Sequence, residues 1–230
     1  MQQRTEATPQ QRYQVILDRI HQACISGRQP PELLAVSKTQ DPIRIRELFA
    51  LGQRRFGENY AQELLDKAGQ LNDLDLEWVF IGHLQSNKIK KIVQVAHEIQ
   101  TVASLQHAER IAKSALELGK TPFPIYLEVN AGDEDNKSGV AWDSVQELAD
   151  AIQSKLPALK LEGLMAIPPS HFQDDSTPDV PKLYRDLRIL ASSVGEGKLS
   201  MGMSGDLRLA IQAGTDTVRI GTALFGPRAR

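Results

Sequence analysis

Short apolar runs alternate with amphipathic segments along almost the whole chain. A short aliphatic run is typical of a buried strand, whereas apolar residues spaced about three or four positions apart are typical of a helix with one buried face. The apolar runs predict eight strands, at residues 33–38, 55–58, 76–82, 98–103, 124–130, 159–167, 200–203 and 217–221. The amphipathic segments predict a helix after every strand but the last, and one more helix, at residues 9–26, ahead of the first strand.

This alternation of strands and helices sets the fold class. A strand followed each time by a helix implies parallel strands. Eight such units favour a closed barrel over an open sheet. A doubly wound sheet is the alternative, and it is less favoured because no G-x-G-x-x-G turn follows the first strand. No linker divides the chain, so we expect one α/β domain over residues 1–230, a (β/α)8 TIM barrel with an extra N-terminal helix.

Composition narrows the class of protein. The chain has 230 residues, 41% of them hydrophobic, with a formal net charge of -2, which argues against a general nucleic-acid binder. Cys24 is the only cysteine, so neither a disulfide framework nor a cysteine-based metal site is expected. No apolar run reaches membrane-spanning length, and the polar residues 1–11 do not form a signal peptide. We therefore expect a cytoplasmic protein without a membrane or nucleic-acid partner.

The first strand ends on a lysine, Lys38, after the apolar residues 33–36. A lysine at the end of a buried strand is costly to desolvate unless it is paired or used chemically. A desolvated lysine loses its proton readily and becomes a nucleophilic amine. Such an amine forms imines with aldehydes, pyridoxal 5'-phosphate (PLP) among them. The alternative is a lysine whose amine reaches solvent at the end of the strand.

Polar residues and glycines stand at the ends of most of the predicted strands. In a (β/α)8 barrel these carboxyl ends meet at one mouth, where function collects. The residues at these ends are Lys38, Glu58, Asn59, Gly82, His83, Ser104, Asn130, Met165, Ser204, Gly205, Gly221 and Thr222. Several strand ends turning polar together indicate a binding site in the mouth of the barrel.

The last two units predict a phosphate site. Ser204 and Gly205 follow the seventh strand, and Gly221 and Thr222 follow the eighth. The loops after these two strands commonly bind phosphate in this fold, through main-chain N–H groups, a helix N-terminus and hydroxyl donors. Alternatively, Ser204 is an ordinary helix N-cap and the glycines are ordinary turns. We expect the charge of Asp206 to point away and to support the cap.

Arg219 shares a face of the last strand with Gly221, two residues later. If that face points into the barrel, the guanidinium is buried and needs a partner. A pyridine nitrogen is a suitable partner, which a permanently charged arginine keeps unprotonated. A salt bridge to Glu58 or to Glu128 is the alternative.

Six stretches in order resemble the pyridoxal phosphate homeostasis proteins, the YggS/PROSC family. They are Ala-Val-Ser-Lys at 35–38, Phe-Gly-Glu-Asn at 56–59, Ile-Gly-His-Leu-Gln-Ser-Asn-Lys at 81–88, Leu-Ser-Met-Gly-Met-Ser-Gly-Asp at 199–206, Val-Arg-Ile-Gly-Thr at 218–222 and Leu-Phe-Gly at 224–226. The resemblance implies the barrel of the alanine racemase N-terminal domain and PLP held as a Schiff base on Lys38. It implies a phosphate held by the loops after the last two strands (Ser204, Gly205, Gly221, Thr222), Arg219 facing the ring nitrogen, and Asn59 beside the ring with His83 nearby.

The resemblance favours a carrier over an enzyme. Racemases that share this barrel carry a further β-rich domain that supplies a catalytic tyrosine, and this chain ends at Arg230. Of the tyrosines, Tyr60 alone is expected near the mouth. We therefore predict a non-catalytic PLP-binding protein, a monomer, that takes part in vitamin B6 homeostasis, affects amino-acid and keto-acid balance and supplies apo enzymes. A slow PLP-dependent amino-acid racemase is the alternative.

His83 and two loops each have two possible roles. His83 can be a general acid or base, but a ring-packing role is favoured. Lys137, in the polar loop at residues 131–139, either approaches the mouth or is solvated. The long loop at residues 168–180 is long enough for a lid, although disorder explains its composition equally well.

Overall fold

The computed structural model describes residues 7–132 and 138–226. Eight parallel strands pair in chain order and close into a barrel, because the first strand also pairs with the last. The predicted (β/α)8 barrel, with one helix ahead of the first strand, is therefore confirmed. None of the helices in the described part of the chain combines the length and the apolar character needed to cross a bilayer.

The bounds of the elements follow the predicted pattern closely. The strands are β1 (Glu32–Val36), β2 (Arg55–Glu58), β3 (Glu77–Phe80), β4 (Glu98–Val102), β5 (Phe123–Val129), β6 (Leu159–Ala166), β7 (Lys198–Ser200) and β8 (Thr217–Ile220). The helices are α1 (Pro9–Ala23), α2 (Pro42–Ala50), α3 (Ala61–Gln70), α4 (Ile89–Val95), α5 (Leu105–Leu118), α6 (Val145–Lys155), α7 (Lys182–Ser192), α8 (Leu207–Ala213) and α9 (Thr222–Phe225). Two 3-10 turns, Trp142–Ser144 and Ser170–Phe172, lie in the loops.

Local sequence signals fix the ends of several helices. α1 begins with a capping box in which Thr8 and Gln11 satisfy each other's main-chain N–H groups. Asp41 caps α2 ahead of Pro42, whose missing N–H costs nothing in a first turn. The Ser104 side chain caps the start of α5, and Gly119 in the left-handed conformation ends this helix. Ser104, one of the polar strand ends, thus serves as a helix cap.

The last two units differ from the prediction. β7 ends at Ser200 rather than at residue 203 because Gly202 adopts a φ of 104°, outside strand geometry. The chain nevertheless stays beside β8, since the N–H of Arg219 donates to the Gly202 carbonyl over 2.9 Å. The prediction that no helix follows the last strand is wrong. The short helix α9 forms there and buries Leu224 and Phe225.

Candidate binding site at the carboxyl ends of the strands

Lys38 lies on a tight turn directly after β1. The N–H of Ser37 donates to the Gly57 carbonyl over 2.9 Å and so continues the pairing with β2. Lys38 is half-buried, and Thr39 after it has a φ of 61°, in the left-handed region that residues other than glycine seldom adopt. A residue is held there only where its surroundings enforce the conformation. The turn that carries Lys38 is therefore fixed from outside.

A buried ionic cluster fixes that turn. The Lys67 amine donates to the Ser37 carbonyl over 2.7 Å and to the carboxylates of Glu58 and Glu63 over 2.8 Å each. The Ser37 hydroxyl donates to Glu58 over 2.7 Å, and the N–H of Thr39 donates to Glu63 over 2.7 Å. Burial raises the pKa of Glu58, against the lowering effect of Lys67. The Glu58 side chain therefore points toward Lys67 on α3 and does not take part in the mouth of the barrel.

Asn59 and His83 lie at the neighbouring strand ends, after β2 and β3. Their segments touch, because a Cβ added to Gly82 would lie 1.8 Å from the Asn59 carbonyl oxygen. His83 is exposed, whereas Asn59 is half-buried, and its side-chain oxygen is buried without a hydrogen-bond partner among the described residues. A cavity of about 460 Å³ opens beside them, lined by Asn59, Tyr60, Ala61, Gln62, His83, Gln85, Lys88 and Ile92.

The loop after β7 is shaped by Asp206, which is buried. Its carboxylate accepts the N–H of Met203 over 2.6 Å and the Tyr184 hydroxyl over 2.7 Å. The pKa of Asp206 is raised by burial, although these hydrogen bonds and the nearby charge of Arg219 partly oppose the shift. The expectation that Asp206 supports a helix cap is wrong, since its side chain makes no cap hydrogen bond to α8. It turns back into the fold and closes the loop that carries Ser204.

The long loop at residues 168–180 braces the same region from the side. The carboxylate of Asp175 accepts the N–H groups of Arg208 and Leu209, over 3.2 Å each, and thereby caps α8. It also pairs with Arg19 over 3.1 Å, and the N–H of Asp175 donates to the Gly205 carbonyl over 2.8 Å. This loop is thus an ordered brace on α8. The helix amides that were expected to face a phosphate are occupied by Asp175.

Asp175→Asn is expected to lower the free energy of unfolding by about 1–2 kcal/mol, the range for loss of a charged cap. An amide retains one acceptor oxygen but loses the charge that Arg19 and the start of α8 share. Urea unfolding of the purified protein measures the loss. Asp174→Asn on the same loop is the control and should change stability by less than about 0.5 kcal/mol. Within the described ranges, the Asp174 carboxylate bonds only Ser176 of its own turn.

The loops after β7 and β8 keep free hydrogen-bond donors. Within residues 7–132 and 138–226, the main-chain N–H groups of Ser204, Gly205, Gly221 and Thr222 donate no hydrogen bond. Gly221 also lies against β1, since a Cβ there would come within 3.3 Å of the Val36 carbonyl oxygen. Because β8 pairs with β1, Gly221 and Thr222 lie at the same end of the barrel as Lys38, next to the strand that carries it. Such a set of N–H groups is suited to an anion.

Arg219 lies inside the barrel beneath this rim and is 4% exposed. Its guanidinium donates to the Ser200 hydroxyl and to the Ala166 carbonyl, over 2.8 Å each. Burial lowers the pKa of Arg219 to about 10, so it stays charged at neutral pH. Neither proposed carboxylate pairs with it in the described part of the chain: Glu58 bonds Lys67, and Glu128 accepts the Ser138 hydroxyl over 2.9 Å. With these two bonds, three of its five N–H donors have no acceptor among the described residues.

All eight site residues singled out from the sequence lie at or just beneath one end of the barrel: Lys38, Asn59, His83, Ser204, Gly205, Arg219, Gly221 and Thr222. Lys137 lies outside the described residues. Sequence reasoning missed the supporting side chains of Lys67, Tyr184 and Asp175. Only Lys67 carried a local signal, its spacing of four residues from Glu63 on one helix face.

Comparison with known proteins gives the family. The alanine racemase N-terminal domain family matches residues 17–229. The pyridoxal phosphate homeostasis protein of Pseudomonas aeruginosa is 43% identical over 205 residues, which cover 88% of each chain. The protein of the same name from Aquifex aeolicus is 40% identical, over 93% of this chain and 95% of the relative.

Solved structures agree with these relatives. PipY of Synechococcus elongatus, solved with PLP bound, matches with a TM-score of 0.79 at 33% identity, over 95% of this chain and 100% of PipY. Alanine racemase from Streptomyces coelicolor matches with a TM-score of 0.73 at 16% identity, over 94% of this chain and 57% of the racemase, which is a likeness of fold. With relatives of such identity along most of its length, the chain belongs to the pyridoxal phosphate homeostasis protein family and has the barrel of the alanine racemase N-terminal domain.

Proposed function

We propose that this protein binds PLP in the mouth of the barrel, as a Schiff base on Lys38. The phosphate is held by the main-chain N–H groups and hydroxyls of the β7 and β8 loops, at Ser204, Gly205, Gly221 and Thr222. Arg219 donates to the ring nitrogen from below. Asn59 and His83 lie beside the ring.

The observation that carries the proposal is that an amine and a set of free N–H donors lie on either side of the junction between β1 and β8. PLP supplies an aldehyde at one end and a phosphate at the other when it is bound. On one side of the seam between β1 and β8 stands a half-buried lysine on a rigid turn. On the other side stand unused main-chain donors, with Gly221 packed on Val36. The relatives named as PLP homeostasis proteins, and PipY with its bound PLP, support the same ligand.

We further propose that the protein is a carrier rather than an enzyme. It holds PLP reversibly as a monomer in the cytoplasm, supplies apo enzymes and so influences amino-acid and keto-acid balance. His83, Gly205 and Thr222 are exposed, so the candidate site is open to water on both sides. Water weakens the electrostatic effects on which an enzyme relies. The relatives are likewise named for homeostasis and not for a reaction.

Borohydride reduction followed by peptide mass spectrometry tests the attachment. The protein is incubated with PLP, reduced and digested, and the pyridoxyl adduct is located. An adduct on the peptide that contains Lys38 supports the proposal. Adducts spread over surface lysines, with none at Lys38, contradict it.

Exchange of the α-hydrogen separates a carrier from a slow racemase. L- and D-amino acids are incubated with the PLP-loaded protein in deuterated buffer, and loss of the α-hydrogen is followed by NMR. If the protein is a carrier, the α-hydrogen signal should decrease at the rate seen with free PLP. Exchange at enzyme-like turnover contradicts the carrier proposal.

Ser204→Ala combined with Thr222→Ala is expected to weaken PLP retention by more than about 100-fold. Each hydroxyl donates to a charged phosphate, and such a bond contributes about 1.5–3 kcal/mol, whereas a bond between neutral groups contributes about 0.5–1.5 kcal/mol. Equilibrium dialysis should show a smaller loss, of about 10-fold or less, for Asn59→Ala or His83→Ala. The reverse order would mean that the phosphate lies elsewhere.

A further inference from the structure

A chain of buried hydrogen bonds runs from Arg219 toward the amino ends of the strands. The Arg219 guanidinium donates to the Ser200 hydroxyl, and that hydroxyl donates to the Gln100 side-chain oxygen, each over 2.8 Å. The Gln100 amide nitrogen donates to Glu98 over 2.7 Å, and Arg55 donates to the second Glu98 oxygen over 2.9 Å. Ser200 and Gln100 are 0% exposed, so water does not compete for these bonds.

The far end of the chain lies in a charged cavity of about 250 Å³. Arg55 is held there by Glu98 and also by Glu32 and Glu77. The cavity is lined by Glu32, Arg55, Glu98, Pro124, Tyr126, Glu162, Lys198, Asp216 and Thr217. The ion pairs of Arg55 therefore anchor this chain of hydrogen bonds at the end of the barrel opposite Lys38.

Each link in the chain sets the direction of the next. A carboxylate only accepts, so Glu98 requires the nitrogen of the Gln100 amide to face it. The oxygen of that amide then faces Ser200 and accepts a hydrogen bond from its hydroxyl. The Ser200 oxygen is left as an acceptor, which suits a guanidinium that only donates. Without this order, the buried Arg219 would lose one of its two acceptors.

We propose that Glu98, Gln100 and Ser200 are positioning residues for Arg219. They hold its guanidinium in one orientation, with its unused N–H groups toward the mouth of the barrel. Arg219 thus meets its ligand with little loss of side-chain freedom on binding. This inference rests on the proposed function for the identity of the ligand, but not for the orientation of Arg219 itself.

The orientation is tested first in the cofactor-free protein. Side-chain NMR of 15N-arginine-labelled protein reports whether the two Nη groups of Arg219 rotate. Separate, slowly exchanging Nη signals are expected in the unmodified protein, and merged signals in Gln100→Met and Ser200→Ala. Glu162→Gln is the matched control, because Glu162 lines the same cavity but pairs with Lys160 and Lys198, off the chain. Unchanged Arg219 signals in both chain variants would overturn the proposal.

The consequence for the ligand is tested by a double-mutant cycle on PLP affinity. Gln100→Met alone should weaken PLP binding about tenfold, which corresponds to about 1.4 kcal/mol, and should shift the Schiff-base absorption band. In an Arg219→Met background the same change should have no further effect on PLP affinity, because Gln100 acts on the ligand through Arg219. Losses that multiply in the double variant would show that Gln100 acts on the fold and would overturn the proposal. Ser200→Thr, which keeps the hydroxyl, should retain the affinity that Ser200→Ala loses.

The two proposals fail in distinguishable ways. If the unmodified protein forms no Schiff base with PLP, the proposed function fails, while the NMR comparison still decides the orientation of Arg219. If PLP binds through Lys38 but the Arg219 signals do not change in the Gln100 and Ser200 variants, only the positioning role fails.

Discussion

Lys67→Met should lower the free energy of unfolding by about 3–5 kcal/mol, the range for removing one partner of a buried ion pair. Lys67 is buried, and Glu58 opposite it is 0% exposed. Methionine fills a similar volume but leaves the Glu58 carboxylate in the interior without a cation. The Ser37 carbonyl, which Lys67 also holds, loses its donor as well. Urea unfolding of the cofactor-free protein at pH 7 measures the difference.

The pH dependence of this loss has a definite sign. The pKa of Glu58 is raised in the folded protein by burial, and loss of Lys67 removes a charge that lowers it. A carboxyl group with a raised folded pKa contributes stability that is present below its unfolded pKa and is lost as pH rises through the folded value. Lys67→Met should therefore be more destabilising at pH 8 than at acidic pH, because protonation of Glu58 removes the unpaired charge.

Two variants test the cause of the loss. Adding Glu58→Gln to Lys67→Met removes the unpaired charge and should recover part of the stability at pH 8. Lys90→Met is the matched control, because the pair that Lys90 forms with Glu117 is exposed, and exposed pairs contribute about 0–1 kcal/mol. A loss below about 1 kcal/mol for Lys67→Met would contradict the assignment of a buried ionic cluster.

The barrel could be predicted from the sequence, and the candidate site residues could be grouped at one end of it, because both steps use local patterns. Alternating apolar runs and amphipathic helices require parallel strands, and parallel strands in such a barrel bring their carboxyl ends together. The position of Arg219 two residues before Gly221 put both on one strand face, and the structure places Arg219 inside the barrel. Residues near strand ends could therefore be grouped without coordinates.

The supporting side chains could not be predicted, because their partners are distant in sequence. Ser200 meets Gln100 across the barrel, 100 positions away, and Asp175 meets Leu209 over 34 positions. The sequence predicts that Asp206 points away and supports a helix cap, and only the packing of Tyr184, 22 positions away, shows that its carboxylate turns into the fold instead of supporting a cap. Motifs thus indicate the candidate site residues, whereas the groups that hold them in place are found only from the fold.

The largest expected effect on the ligand is that of Lys38→Ala, which should abolish the Schiff-base absorption band and the reducible adduct. PLP should still bind, but more weakly, because the unused N–H groups at Gly205 and Gly221 and the guanidinium of Arg219 remain. Equilibrium dialysis and absorption spectra measured on the same samples separate the covalent link from the non-covalent grip.

Two lysine variants make that result specific. Lys38→Arg keeps the positive charge but offers no amine that condenses with an aldehyde, so it should lose the band as completely as Lys38→Ala. Lys88→Ala, at the nearby cavity beside His83, should keep both the band and the adduct. A band that survives in Lys38→Arg would assign the Schiff base to another amine. In that case the turn that Glu63 and Lys67 hold through the main chain of Thr39 and Ser37 would serve a purpose other than presenting Lys38 to a ligand.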